Sequence, residues 1–196
     1  MNIREELNRI LFIALTYIIA LSVVTMVVAP VQRMFIPEVT LFAALIFPPH
    51  GVRVLSAWLF GWRSFVYLYL ATTIAHFVLT PSAPLEFKSF ISWTITSGCA
   101  AISFSILKFL NFEVSADIAR IRKDAWKRLM IVAFVSSILN SIGHNLLFAG
   151  QILPENSVKT LLAFMIGDTL GTFVAFFALM LIFSPHSPSK SLISLS

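Results

Sequence analysis

Six long apolar segments restrict what this chain can fold into. Each is near the roughly 20 residues that an α-helix needs to cross the hydrocarbon core of a bilayer, although the third is short. Helices are expected because an open strand would leave backbone groups unpaired in lipid. The segments cover residues 10–29, 41–60, 64–79, 88–110, 129–148 and 161–183.

The composition leaves little of the chain for a soluble domain. Hydrophobic residues make up 58% of the 196 residues, and charged residues only 12%, about half the usual charged fraction of a soluble domain. We therefore predict an all-α, polytopic transmembrane helix bundle of about six spans. It forms one membrane domain over residues 1–183, and a flexible cytoplasmic tail rich in Ser and Pro follows over 184–196. The first segment lacks a signal-peptidase site and is expected to stay in the protein.

The positions of the basic residues predict the orientation of the bundle. Cytoplasmic loops of membrane proteins carry an excess of Lys and Arg. With the N-terminus inside, ten of the 14 basic residues fall on the cytoplasmic side and Arg53 falls within the membrane, whereas the outer loops hold only Arg33, Lys88 and Lys159. We expect cytoplasmic termini in a bacterial inner membrane. This clustering beside spans also argues against nucleic acid as a partner, despite a pI near 9.7.

The largest cytoplasmic loop covers residues 111–128. Its apolar residues loosely suit a short amphipathic helix on the inner leaflet, and its basic residues suit anionic headgroups. Membrane topology alone accounts for the same charges. A docking surface for a cytoplasmic or membrane partner is the second interpretation.

The second apolar segment contains Pro48-Pro49-His50-Gly51 and then Arg53. The two prolines remove backbone donors and clash with the preceding turn, so this span is predicted to be kinked or broken into half-helices. A charge in lipid costs at least a few kcal/mol and is therefore usually paired and functional. In transporters, broken helices of this kind form binding sites. The alternative is a structural kink in which Arg53 only pairs with a carboxylate.

Asp168 is the counterpart of Arg53 in the sixth segment. Gly167, Gly171 and Ala175 share one helix face there, which is the pattern for close helix packing. At a rise of 1.5 Å per residue, the expected depths of Arg53 and Asp168 differ by under about 10 Å. We expect a buried Arg53–Asp168 pair, with a protonated His50 as the other possible partner of Asp168.

Further polar residues lie at similar depths. His76 falls near the outer end of the third segment, and Asn140 and His144 are one turn apart in the fifth. We therefore predict a polar cavity that opens outward. The alternative is that each histidine only bonds a neighbouring helix. The candidate ligand-binding residues are His50, Arg53, His76, Asn140, His144 and Asp168.

Catalysis and cofactors are not predicted. No two histidines have the i, i+4 spacing that marks a zinc site, and Ser97 lacks a Gly-x-Ser-x-Gly elbow. There is no phosphate-binding glycine loop and no Cys-x-x-Cys pair. The first segment has little polar content, with Tyr17 among its few polar residues, and is expected at the edge of the bundle.

Two motifs are similar to those of a known family. Residues 47–63, which begin Phe47-Pro48-Pro49-His50-Gly51, resemble the Trp/Phe-x-Pro-x-Gly segment of bacterial membrane-associated sensor domains of the first type. Residues 165–171 resemble that family's Gly-Asp-x-Leu-Gly segment. The resemblance implies a sensory module, usually fused to a histidine kinase or diguanylate cyclase. Since these 196 residues include neither a kinase nor a cyclase domain, a separate partner is expected.

Three functions stay open on this basis. The first is a sensory or regulatory module that binds a small ligand or a proton and signals to a partner by a shift between helix packings. The second is a small transporter or the substrate-binding subunit of one. The third is a structural or assembly subunit of a membrane complex, in which the polar residues only hold helices together.

Overall fold

The computed structural model describes residues 3–40, 43–112, 125–151 and 154–183, and within these ranges it contains helices and no strands. The predicted tail over 184–196 and most of the predicted partner surface over 111–128 lie outside the described residues. The helices are α1 (Ile3–Val23), a π-helical turn (Val24–Val28), α2 (Ala29–Arg33), α3 (Pro37–Thr40), α4 (Pro49–Phe60), α5 (Arg63–Leu79), α6 (Phe87–Phe109), α7 (Ala125–Leu147) and α8 (Pro154–Phe183).

The all-α prediction is therefore confirmed for the described residues. Four helical stretches there are long and apolar enough to cross a membrane, namely Ile3–Arg33, Phe87–Phe109, Ala125–Leu147 and Asn156–Ile182. α5 is apolar but has only 17 residues. These lengths indicate a membrane protein, whereas the count of six spans stays a prediction.

The distribution of side chains is the reverse of that in a soluble protein. Large apolar residues such as Phe12 and Ile182 are about three-quarters exposed, at 70% and 73%, while Arg53, His50 and Asp168 are buried. Exposed apolar surface of this extent marks contact with lipid or another apolar partner. The chain thus has an apolar exterior and a partly polar interior.

Side-chain contacts fix the directions of the helices. α1 and α5 run the same way, because Glu6 near the start of α1 accepts from Tyr67 near the start of α5, and further along both helices Tyr17 lies in one apolar cluster with Ala71 and Ala75. α6, α7 and α8 then alternate in direction, because Ser92 near the start of α6 bonds His144 near the end of α7, and Asn145 near the end of α7 bonds Ser157 near the start of α8. We call the end of the bundle where α1 begins the proximal end, and the opposite end the distal end.

The second apolar segment is not one continuous helix. Residues 43–48 are non-helical, and α4 begins at Pro49 with Pro48 immediately before it. Proline suits the first position of a helix, where its fixed φ is favourable and its missing N–H costs nothing. α4 ends at Phe60, and the next residue, Gly61, has a φ of 56° that only glycine readily adopts. The prolines therefore start a half-helix here, and whether this segment crosses a membrane stays a prediction.

The non-helical residues find backbone partners in other parts of the chain. The Gln32 side chain donates to the Ala43 carbonyl at 2.8 Å and accepts from the Leu45 N–H at 2.7 Å. The Phe47 N–H donates to the Gly167 carbonyl of α8 at 2.9 Å. Such partners are what allow irregular backbone to persist in an apolar environment.

The small residues of α8 lie against this same segment. A Cβ atom on Gly167 would overlap the Ala44 carbonyl oxygen, and one on Gly171 would overlap the backbone of Phe47. Ala175 in turn faces Gly51 of α4. The predicted small-residue face is therefore a packing surface, and most of it meets an irregular segment of backbone instead of a helix.

We predict that Gly167→Ala or Gly171→Ala destabilises the fold by about 1–3 kcal/mol, which is the usual cost of overpacking. The reason is that the added methyl group meets backbone, which cannot rotate away. The midpoint of thermal unfolding in detergent measures this. Gly98→Ala is the matched control, because its Cβ would lie 3.6 Å from the nearest atom. Equal midpoints for all three variants would contradict the prediction.

Candidate ligand-binding site

The guanidinium group of Arg53 lies between two aromatic rings inside the bundle. Its Cζ atom is 5.1 Å from the centroid of the Phe47 ring and 5.8 Å from that of Tyr17. Nη2 donates to the Tyr17 hydroxyl at 3.1 Å. Nε has no hydrogen-bond partner among the described residues. Arg53 is 3% exposed, and its direct contacts among the described residues are with Tyr17, Phe47 and His50.

His50 separates Arg53 from Asp168, and the expected direct pair between these two charged residues is not formed. His50 Nδ1 lies 3.4 Å from Arg53 Nη1 and 3.2 Å from Asp168 Oδ2. Its other ring nitrogen, Nε2, lies 3.3 Å from the Ala133 carbonyl oxygen. The prediction of a direct pair is wrong, because the His50 ring lies one turn before Arg53 on α4 and occupies the space beside the Asp168 carboxylate.

The polar contacts continue from Asp168 across two further helices. Asn140 Nδ2 donates to Asp168 Oδ2 at 2.6 Å. One turn on, His144 Nδ1 lies 2.9 Å from the Asn140 carbonyl oxygen, which only accepts, so Nδ1 donates. His144 Nε2 is then free to accept from the Ser92 hydroxyl at 3.0 Å.

Five helices are joined by this chain of contacts. It starts at Tyr17 on α1, passes through Arg53 and His50 on α4 and Asp168 on α8, and reaches α7 and then Ser92 on α6. We call these residues and their contacts the buried polar network.

A cavity of about 380 Å³ lies beside the buried polar network. This volume is at the lower end of the range for small-molecule sites. Arg53, Asp168, Asn140, His144 and His76 all line it. The other lining residues include the hydroxyls of Tyr17, Thr25, Thr72, Thr80, Ser92 and Thr96, the rings of Phe47, Trp93, Phe148 and Phe164, and the small side chains of Ala43, Ala44 and Ala75.

The cavity belongs to the distal half of the bundle. Its lining includes Leu79 and Thr80 at the end of α5 and Phe148 just after α7, which are distal by the helix directions above. The proximal half is filled instead by an apolar cluster that contains Val54 and Ala57 of α4. The half-helix α4 therefore forms part of the cavity floor.

Five of the six predicted site residues line one cavity, and His50 lies directly behind them, bonded to two of the five. His76 has a separate position: its ring packs on Trp93 at 5.4 Å, and its Nδ1 lies 3.3 Å from the Thr80 hydroxyl. Among the described residues it makes no hydrogen bond to the buried polar network. Whether any of the six binds a ligand stays a prediction.

Sequence reasoning missed Tyr17, Ser92 and Trp93. α1 does expose much of its surface, as expected for the edge of the bundle, but Tyr17 is buried and bonds Arg53. The available signal was a phenol in the middle of an apolar span, since a buried Tyr hydroxyl usually has a partner. Ser92 gave no such signal, because serine also occurs in spans as a small packing residue.

No protein-family model, curated protein or solved structure matches this chain.

We predict that Asp168→Ala destabilises the fold by about 2–5 kcal/mol, because it leaves the amide of Asn140 and the ring of His50 buried without this partner. Asp168→Asn is the matched variant. Both contacts are made to Oδ2, so an amide oxygen at that position keeps the bond from Asn140 Nδ2 and loses only the proton shared with His50, and a smaller loss than that of Asp168→Ala is expected. Thermal unfolding in detergent measures both variants, and equal losses would contradict this account of the network.

Proposed function

We propose that this protein is a sensory or regulatory module of a bacterial inner membrane, with six spans and both termini in the cytoplasm. The six crossings are Ile3–Arg33, residues 43–60, α5, α6, α7 and α8. In this orientation the distal end faces outward. The excess of basic residues at the opposite end supports it.

The module binds a small molecule in the distal cavity. The observation that carries this proposal is the convergence of Arg53, Asp168, Asn140, His144 and His76, from four helices, on one cavity. Polar groups are costly in an apolar bundle, and helix packing alone does not require them to surround empty space.

The buried polar network links occupancy of the cavity to helix packing. A ligand that competes for Arg53 or Asn140 changes the contacts of α1, α4, α7 and α8 together. A ligand shifts an equilibrium only by its differential affinity for the two states, and a network that both lines the cavity and joins the helices supplies this difference. A partner on the cytoplasmic side, docked through residues 111–128, reads the change. The resemblance to membrane-associated sensor domains supports the same role.

A substrate-binding subunit of a transporter is the second candidate. It is favoured by the half-helix α4, which starts at Pro49 beside the cavity after the non-helical residues 43–48. Discontinuous helices that end at a central site recur in transporters. Uptake of a bound molecule by proteoliposomes would favour this candidate over the sensor.

Single-cysteine labelling tests the orientation. The native thiol is removed with Cys99→Ala, and Ser82→Cys or Asn111→Cys is then introduced at an exposed position. Ser82 lies between α5 and α6 at the distal end, and Asn111 lies at the proximal end of α6. We expect a membrane-impermeant maleimide to label the Ser82→Cys variant in intact bacterial cells and the Asn111→Cys variant only after lysis. The reverse pattern would invert the proposed topology.

Filling the cavity tests ligand binding. Ala44 lines the cavity and is half-buried, so Ala44→Phe places a ring there without removing a polar contact. We expect native mass spectrometry of the wild type to reveal a co-purifying small molecule that this variant loses. Ala178→Phe, on the exposed face of α8, is the control and should keep it. A wild type that carries no small molecule, or an Ala44→Phe variant that keeps it, would count against the proposal.

A further inference from the structure

The cation in the cavity wall has no anion beside it. Among the described residues, Arg53 forms no ion pair; its Nη2 donates to Tyr17 Oη, and its Nη1 lies 3.4 Å from His50 Nδ1. Its Nε is unpartnered although the residue is 3% exposed. Guanidinium presents five N–H donors in a planar fork that matches a carboxylate. Donors of Arg53 are therefore unused next to a cavity.

Asp168 does not neutralise this cation, because its own charge is balanced by a proton. The Ala133 carbonyl oxygen only accepts, so His50 Nε2 carries a hydrogen. His50 Nδ1 then faces Asp168 Oδ2 at 3.2 Å, and two lone pairs would oppose each other unless one proton lies between them. Whether the proton is on His50 or on Asp168, the pair has no net charge. The two contacts of His144 need no proton beyond that of the neutral ring, and Arg53 is the one permanent cation of the cavity wall.

The rest of the lining fits an apolar or aromatic body. Distal to Arg53 the wall contains the rings of Trp93, Phe148 and Phe164, and Thr72 and Thr96 also line the cavity. Rings of this kind supply contact area with defined geometry. Arg53 and Asp168 are the only Asp, Glu, Lys or Arg residues of the described lining, which also includes His76 and His144.

We propose that the cavity binds a small organic monocarboxylate, whose carboxylate pairs with Arg53 and whose apolar or aromatic body lies among the distal rings. This inference rests on the proposed function, because it assigns a chemical class to the ligand of the same cavity. We expect monocarboxylates to bind more tightly than dicarboxylates or amines, since Arg53 is the one permanent cation of the described lining and the Asp168 carboxyl shares a proton with His50.

Matched acids and amides test the assignment. The probes are butyrate, benzoate, phenylacetate and indoleacetate, each compared with its primary amide, which has the same shape without the charge. Binding to the full chain in lipid nanodiscs is measured by the shift of the unfolding midpoint and by calorimetry. We expect at least one acid to bind about tenfold or more tightly than its amide, as befits a charge-assisted hydrogen bond. The Arg53→Gln variant should lose this preference, and Arg53→Lys should keep part of it.

Arg63→Gln is the matched control, because Arg63 lies at the proximal end, 65% exposed and outside the cavity. It should leave the preference unchanged. The inference is overturned if no acid exceeds its amide in the wild type, or if the preference persists in Arg53→Gln. Should that variant fail to fold, the comparison of acids and amides in the wild type decides alone.

Failure of this inference can be told apart from failure of the proposed function. If amides or other neutral compounds bind and Ala44→Phe blocks them, the cavity is a ligand site of another class. If no compound binds and no small molecule co-purifies, both proposals fail. A potassium chloride titration is run alongside, and displacement of the acids by chloride at low millimolar concentration would identify an inorganic anion site and overturn the assignment of an organic carboxylate.

Discussion

The fold depends on keeping a guanidinium group inside an apolar bundle. Arg53 and Asp168 are both almost fully buried, and neither reaches the other directly. His50 lies between them and bonds α7 as well, so one imidazole ring organises three helices. Because these groups are buried, each contact in this network matters more than it would at a protein surface.

The broken second segment and the glycines of α8 are two parts of one arrangement. The half-helix brings His50 and Arg53 to mid-bundle only because residues 43–48 reach it without helical hydrogen bonds. Those residues need partners, which Gln32 and the Gly167 carbonyl provide. Residues 44–47 can approach α8 this closely only where α8 has residues without a Cβ atom, and these are Gly167 and Gly171. A small-residue stripe, commonly associated with paired helices, here accommodates irregular backbone.

The same arrangement leaves space on the distal side. Residues 43–48 are thinner than a helix, so the side chains of α1, α5, α6 and α7 do not close completely over Arg53, and the cavity occupies the gap. In the proximal half, where α4 is helical, apolar side chains fill the interior. The sensory proposal and the carboxylate proposal both follow from this asymmetry, since it places a cation at the base of a cavity and joins that cation to the surrounding helices.

The sequence by itself determined the helical class and most of the polar lining of the cavity. Long apolar segments admit only helices, and charged or polar residues in such segments must converge, which placed Arg53, Asp168, Asn140, His144 and His76 around one cavity. The tertiary structure alone decided which atoms meet. That His50 separates Arg53 from Asp168, that Tyr17 belongs to the network, and that α8 packs on residues 44–47 depend on the rotation and tilt of helices. Those are set by packing between elements distant in the chain, and helical periodicity within one segment does not encode them.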